Sequence, residues 1–361
     1  MASSLGDKIK VSVFGESHGP AIGMVMDSPP AGIKIDFAAL GRELDRRAPG
    51  NDPTATKRKE ADIPEFLSGL KDGVTTGAPL AAIIKNTSQK SQDYSELETK
   101  PRPSHADYAA HIHYGGFNDV SGGGHFSGRL TAPLVIAGAI LKQYLKTKGI
   151  TIGGHILQIG SVKDKNLDPV NVSAEELEKL STRFPLIDPS AEEKMRSEVS
   201  LAAKNGDSVG GIVEIAVTGI NAGFGGPMFD GVENIISKAV FGVPAVKGIE
   251  FGEGFSFGSM VGSKANDPLT LENGKVVCKT NHCGGITGGI TNGMPIIFRC
   301  AIKPTPSIAQ KQQTVDLKKQ ENTTLEIKGR HDPCIVPRAL PAIEAVTAIA
   351  VANLLWEVGQ F

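Results

Sequence analysis

The chain has 361 residues, of which 40% are hydrophobic and 21% charged, enough apolar material to bury a sizeable core without disulfide or metal staples. Lys and Arg number 38 against 39 Asp and Glu, so no global basic field exists to attract nucleic acid or an acidic membrane, and any anion site must be local. The four cysteines (Cys278, Cys283, Cys300, Cys334) form no CxxC pair, which speaks against a zinc cage and for reduced thiols.

The opening MASSLGDKIK has no apolar signal-peptide core and no Ser/Arg-rich leader, so a cytoplasmic protein is expected. Residues 9–14 (IKVSVF) predict a strand running into the turn Gly15-Glu16-Ser17-His18-Gly19. A helix is predicted from Phe37 to Arg47, stopped by Pro49-Gly50. The polar stretch from Asn51 to Asp62 reads as a mobile surface loop, and Leu80 to Ile84 as a short strand. Arg102 to Arg129 resembles no regular element, carries His105, His111, His113 and His125, and feeds an apolar helix near Ala132 to Lys146 that Gly149 stops. Residues 163–207 predict peripheral charged helices, with Ser173 and Asp188 as caps and Gly206 as a stop. Val209 to Thr218 alternates as a strand, followed by a glycine loop and a helix near Phe229 to Phe241. The tail predicts a strand from Pro295 to Ile302 and a long apolar helix from Pro341 to Trp356. Its apolar part, like Leu130 to Leu141, falls short of the ~20 residues that span a bilayer. Strands mixed with long helices, without a βαβ rhythm or a short repeat, predict one α+β domain over residues 1–361.

Five segments carry chemistry. Ser17 and His18 stand exposed on a turn after a strand, where they serve either a polar site or local backbone; GESHG lacks the spacing of a GxSxG hydrolase elbow. Arg46, Arg47, Lys57, Arg58 and Lys59 cluster around a Pro-Gly turn, either as a solvated face or as a loop folding over an anion. In the third segment, Arg102-Pro-Ser-His105-Ala-Asp107 precedes Gly122-Gly-Gly-His125-Phe126-Ser127-Gly-Arg129, whose amides stand ahead of a helix and suit a flavin phosphate or carbonyl. Its histidines invite a metal reading, but exposed histidines on a helix are the commoner explanation. The fourth, Asn281 to Ile290 leading to Lys303-Pro304-Thr305-Pro306-Ser307, pairs glycines with hydroxyl and ammonium donors, though tight sheet packing needs glycine equally. The fifth is Gly329-Arg330-His331-Asp332-Pro333 with Arg338 nearby, a charged set just ahead of an apolar helix, which needs partners or a ligand.

Taken in order, GESHG, LDRRAPG, RPSHADY, the GGG-to-SGR segment, GFGGPMFD, AVKGIEFGEGF, GGITGGI, KPTPS and GRHDPC resemble the signature segments of the chorismate synthases, from about residue 10 to the last helix. The resemblance implies a β-α-β sandwich, with long helices packed between antiparallel sheets, and a homotetramer. It implies reduced FMN (FMNH2) as cofactor and an anti 1,4-elimination of phosphate from 5-enolpyruvylshikimate 3-phosphate to give chorismate. By the same resemblance His18 protonates the departing phosphate, His105 protonates the reduced flavin, and Asp332 is the acid near flavin N5. Ser17 and Ser127 match hydroxyls of that relay, and Arg46, Arg47, Arg129 and Arg338 match substrate ligands. Flavin contacts fall on His125, Phe126, Ser127, Ala245, Gly288, Lys303, Pro304, Thr305, Pro306, Ser307 and Arg330. Reduced FMN is expected from an external flavin reductase or another source, and NADPH-dependent reduction by the chain itself is a matter for assay. The chain departs from the family pattern at Ser104, where RPGHAD is usual, and at His125, where an arginine is usual. Competing readings are a flavin oxidoreductase on the same scaffold, a non-catalytic anion-binding protein, and a metal hydrolase built on His105 to His125.

Overall fold

The computed structural model describes residues 3–50, 62–87, 96–327 and 331–357. The chain begins with β1 (Ser4–Leu5), β2 (Lys10–Gly15), β3 (Ala21–Asp27), helix α1 (Phe37–Arg47), β4 (Glu65–Ser68), the ribbon β5 (Leu70–Lys71) and β6 (Val74–Thr75), and β7 (Leu80–Lys85). The middle holds α2 (Asp107–His113), α3 (Thr131–Thr147), β8 (Thr151–Ile159), β9 (Val162–Lys163), α4 (Ala174–Lys179), α5 (Glu192–Lys204) and β10 (Gly211–Thr218). Then come α6 (Val232–Val240), β11 (Val246–Phe251), the single turn α7 (Gly262–Ala265), and the ribbons β12 (Leu269–Glu272) with β13 (Lys275–Cys278) and β14 (Ile286–Thr287) with β15 (Ile290–Thr291). The last elements are β16 (Ile296–Ile302), the ribbon β17 (Gln312–Asp316) with β18 (Glu321–Leu325), and α8 (Val336–Glu357).

Two antiparallel sheets, ordered β1-β2-β3-β7-β4 and β11-β16-β10-β8-β9, enclose the long helices. Helix α3 lies on β2, β3 and β7, α8 lies on β8 and β10, and the two helices pack on each other with α1 and α6 at their flanks. This is the α+β sandwich expected from the motifs. Apolar side chains all round α3 (Val135, Ile136, Ile140, Leu141, Leu145) are buried, as a helix between two layers requires. Gly138 sets the closeness of the crossing, since a Cβ there would collide with the backbone of Ala345 on α8.

Helix α8 begins at Val336, five residues before the expected start, because the chain gives up only one ladder bond at the internal Pro341. Its length and apolarity match those of a bilayer span, contrary to the shorter stretch read from sequence, yet it lies buried in the core. Asn353 near its end clasps the N-terminal segment. The side-chain oxygen accepts from the amides of Asp7 (3.1 Å), Lys8 (2.9 Å) and Ile9 (3.0 Å), while the amide donates to the carbonyl of Ile9 at 3.0 Å.

The second sheet carries a charged ladder on the face away from α8. His155, Glu214, Arg299 and Glu250 are cross-strand partners on β8, β10, β16 and β11. His155 is fully buried between Glu214 (Nε2 to Oε2, 3.1 Å) and Asp164 (Nδ1 to Oδ2, 3.2 Å). Burial opposes the imidazolium, but hydrogen bonds to these two carboxylates outweigh it and raise the pKa.

Candidate active site

The site is built on the glycine run that follows α2. Gly122, Gly123 and Gly124 take φ values of 60°, 87° and 52°, the left-handed region that glycine enters at little cost. Side chains are excluded there for a second reason. A Cβ on Gly122 would collide with the His18 ring and lie 2.9 Å from Ser17 Oγ; one on Gly123 would lie 3.3 Å from His105 Cε1 and 3.4 Å from its Nε2. The Ser17 amide donates to the carbonyl of Gly124 at 3.1 Å, fixing the turn after β2 against this wall. His18 and His105 therefore face two consecutive glycines, with Ser127 at the end of the run.

Three arginines converge beside it. Arg47, at the end of α1, is buried and binds Asp62 through Nε (2.9 Å) and Nη2 (2.7 Å); its Nη1 reaches Thr131 Oγ1 at 3.2 Å. Arg129 pairs with the same Asp62 carboxylate and donates from Nε to Asn86 Oδ1 at 3.3 Å. The Asn86 amide in turn donates to the carbonyls of Glu16 (3.1 Å) and Gly19 (2.8 Å), joining the arginines to the His18 turn. Arg338 donates from Nε to the carbonyl of Arg47 at 2.9 Å and pairs with Asp332. Burial, together with the positive charges of Arg338 and Arg129, lowers the Arg47 pKa to about 10 despite Asp62. Three guanidiniums against two carboxylates in so dry a place leave a field that favours an anion. Asp62, read from sequence as the end of a surface loop, is instead a buried partner, held below the usual carboxylate range because Arg47 and Arg129 outweigh its burial.

The far side is formed by the strap from Lys303 to Ser307. Lys303 donates from Nζ to the carbonyl of Ser104 at 2.5 Å and from its amide to Ala245, itself at φ 72°, at 2.9 Å. Burial and the nearby Lys247 lower the Lys303 pKa. Pro304 packs over Gly210, the carbonyl of Pro306 accepts from Gln312, and Ser307 Oγ accepts from Arg102 Nη1 at 3.3 Å. The buried Thr305 Oγ1 and His331 Nε2 have no hydrogen-bond partner among the described residues. Burial, Arg102 and His105 lower the His331 pKa, so its ring is neutral near pH 7.

Some expected site residues lie elsewhere. Arg46 points away from Arg47: it forms a two-point bond with Glu344 of α8 (2.8 Å each), pairs with Glu43 at 2.9 Å and donates to the carbonyl of Thr182, so its donors serve the core rather than a ligand. Consecutive positions on a helix face different ways, about 100° apart, which separates the two arginines. His125 uses Nδ1 on the carbonyl of Gly15 (2.8 Å) and Nε2 on Ser3 Oγ (2.8 Å), which makes its ring a strut between the end of β2 and the residue ahead of β1. Phe126 is exposed and tilts against Tyr114 at 6.3 Å. Gly288 sits on the exposed turn between β14 and β15, a ribbon tied to residues 224–232. Arg330, Lys57, Arg58 and Lys59 lie outside the described residues. Among the described residues no group of three His, Cys, Asp or Glu is placed to hold a metal. Asp62, Asn86 and Arg102 were given no role by the motifs; the signal for Asp62 was an acid left beside a run of cations.

Residues 9–356 match the family model described as chorismate synthase. The chorismate synthase of Thermococcus kodakarensis is 48% identical over 351 residues, 97% of this chain and 96% of that protein. That of Aeropyrum pernix is 47% identical, covering 98% of this chain and 92% of the relative. A crystal structure of chorismate synthase superposes with a TM-score of 0.75 at 26% identity, covering 98% of this chain and 94% of the other.

Proposed function

The chain belongs to the chorismate synthase family, enzymes of the lyase class acting on a phosphate-bearing substrate, and we propose that it eliminates phosphate from 5-enolpyruvylshikimate 3-phosphate with reduced FMN bound. One observation carries this reading: His18 and His105 lie against consecutive glycines, on a wall whose far end holds the converging Arg47, Arg129 and Arg338. We also propose a cytoplasmic homotetramer of single-domain protomers, supplied with reduced FMN from outside.

The residues present fit a flavin. The buried Thr305 Oγ1 and His331 Nε2, without hydrogen-bond partners among the described residues, would offer polar contacts to a flat ring bound beside the glycine wall. Ser127, Ala245, Lys303, Thr305 and Ser307 would hold it. Bound reduced FMN supplies electron density towards the breaking C–O bond, which no side chain does.

The chain's own groups do the rest. Arg47, Arg129 and Arg338 bind the substrate's carboxylates and phosphate in a site where low dielectric strengthens each contact. An anionic ligand competes with Asp62 for two of these guanidiniums. His18 gives a proton to the departing phosphate, with Ser17 Oγ beside it, and His105 holds a proton at the glycine wall. Asp332, tethered by Arg338, assists removal of the proton from the substrate carbon.

The test is an anaerobic assay with dithionite-reduced FMN and the enolpyruvyl ester, following phosphate release. Turnover is expected with reduced FMN, none with oxidised FMN, and a fall of about 10²-fold or more in His18→Ala and His105→Ala. Wild-type rates in both variants would overturn the assignment.

A further inference from the structure

His105 does not stand alone against the glycine wall. Its Nδ1 lies 2.5 Å from Asp107 Oδ1, a separation that two heavy atoms reach only with a proton between them. An ionised carboxylate has no proton to give, so the donor is His105 Nδ1–H. Arg102 Nη2 also approaches that nitrogen, at 3.1 Å; a guanidinium only donates and would need a bare Nδ1, but Nη2 already donates to Asp107 at 2.8 Å, and the much shorter Asp107 contact decides where the ring proton sits. Asp107 is in turn held from the other side. Arg102 donates to it from Nε (Oδ2, 2.7 Å), from Nη2 (Oδ1, 2.8 Å) and from its own amide (Oδ2, 3.0 Å). With His105 these make four donors on one carboxylate, about its full lone-pair capacity. Asp107 and Arg102 are both buried, and Arg102 Nη1 continues to Ser307 Oγ on the opposite strap.

We propose that Asp107 is a positioning residue, clamped by Arg102, that keeps the His105 proton on Nδ1 and so presents Nε2 to the reacting space at Gly123. This rests on the reading of His105 as an acid–base group. Burial would raise the Asp107 pKa, but hydrogen bonds from Arg102 and His105 outweigh it and hold the carboxyl below its usual range, so the clamp stays ionised throughout the neutral region. A ring free to flip or change tautomer would present Nε2 only part of the time. The clamp removes that freedom, and it reaches the strap that carries Lys303 and Thr305.

Asp107→Asn should lower kcat about 10²- to 10⁴-fold, the contribution of general acid–base catalysis that a misplaced ring forfeits, while KM for the ester stays within a few-fold. In the double variant with His105→Ala, Asp107→Asn should bring no further loss, because its effect passes through the ring. A purely structural Asp107 would instead give additive losses and a lowered melting temperature. Nitrogen-15 spectra of the unmutated protein, at a pH where the ring is neutral, should show the Nδ1–H tautomer, with the signal assigned by its loss in His105→Gln. The Nε2–H tautomer there, or a wild-type kcat in Asp107→Asn, overturns the proposal. Full activity in His105→Ala instead overturns the parent reading of that histidine.

Discussion

Glu344 is the one acid in the apolar stretch of α8, and replacing it with glutamine tests why Arg46 and Arg47 part company. Arg46 and Glu344 are 4% and 1% exposed at their side chains, and Lys142 joins them at 2.7 Å. Glutamine keeps the shape but leaves two cations sharing only Glu43, at 2.9 Å from Arg46 and 3.2 Å from Lys142. Breaking a buried pair from one side destabilises by about 3–5 kcal/mol. At roughly 2.1 cal/mol/K per residue, a chain of 361 residues converts this to a fall of about 4–7 °C in Tm. Arg46 and Lys142 hold the Glu344 carboxyl below its usual value of 4.5, against the effect of burial. The stabilisation is therefore complete above pH 4.5 and is lost as pH falls through the depressed native pKa. Melting curves followed by calorimetry should show the gap between wild type and Glu344→Gln constant near neutrality and narrowing in acid. KM for the ester in the surviving enzyme should be unchanged. An unchanged Tm together with a KM raised tenfold would refute the argument, since it would place Arg46 on the substrate.

Gly122→Ala should fold but turn over about 10²-fold more slowly, since the new Cβ displaces the His18 ring by roughly an ångström and the left-handed backbone adds about 1–2 kcal/mol of strain. A crystal structure showing His18 unmoved, with full activity, would refute it. The raised His155 pKa gives the opposite pH dependence to Glu344. Its stabilisation is present below the ordinary histidine value of 6.5 and is lost as pH rises through the higher native pKa, so wild-type Tm should fall on going alkaline more steeply than that of His155→Gln. Parallel slopes from pH 6 to 9 would rule this out. Burial pushes the Cys334 thiol up to about 12 and Cys300 higher still, so both should react with a disulfide reagent only after unfolding. Rapid native labelling of either, seen by peptide mapping, would contradict the packing.

The sequence told most where periodicity or an ordered motif spoke. Helix α1 matches its expected bounds, α3 differs by a residue at each end, and Ser173 caps α4 as read, accepting from the Glu176 amide at 3.1 Å. Strand β8 escaped because Gly153 and Gly154 interrupt its apolar pattern, and β3 went unassigned although Ile22, Met24 and Met26 alternate inward. Within the site, motifs named the histidines and four arginines, three of which converge, but not their orientation. Arg46 and Arg47 look alike as letters; only the helix phase and the lone Glu344 separate them. A carboxylate embedded in an apolar helix demands a cation, and that physical clue was legible before any coordinates. His125 was not legible in this way, because its partners, Gly15 and Ser3, lie more than a hundred positions away in the chain.

The Asn353 clasp bears on the order in which this protein is made. It ties the amides of residues 7–9 to a side chain 344 to 346 positions later. Those residues lead directly into β2 and the turn bearing Ser17 and His18, so an early part of the reaction machinery is tied to a helix made far later. On the ribosome the start of β2 lacks this clasp until α8 has emerged, and the Ser17–His18 turn rests before then on Gly124 and Asn86.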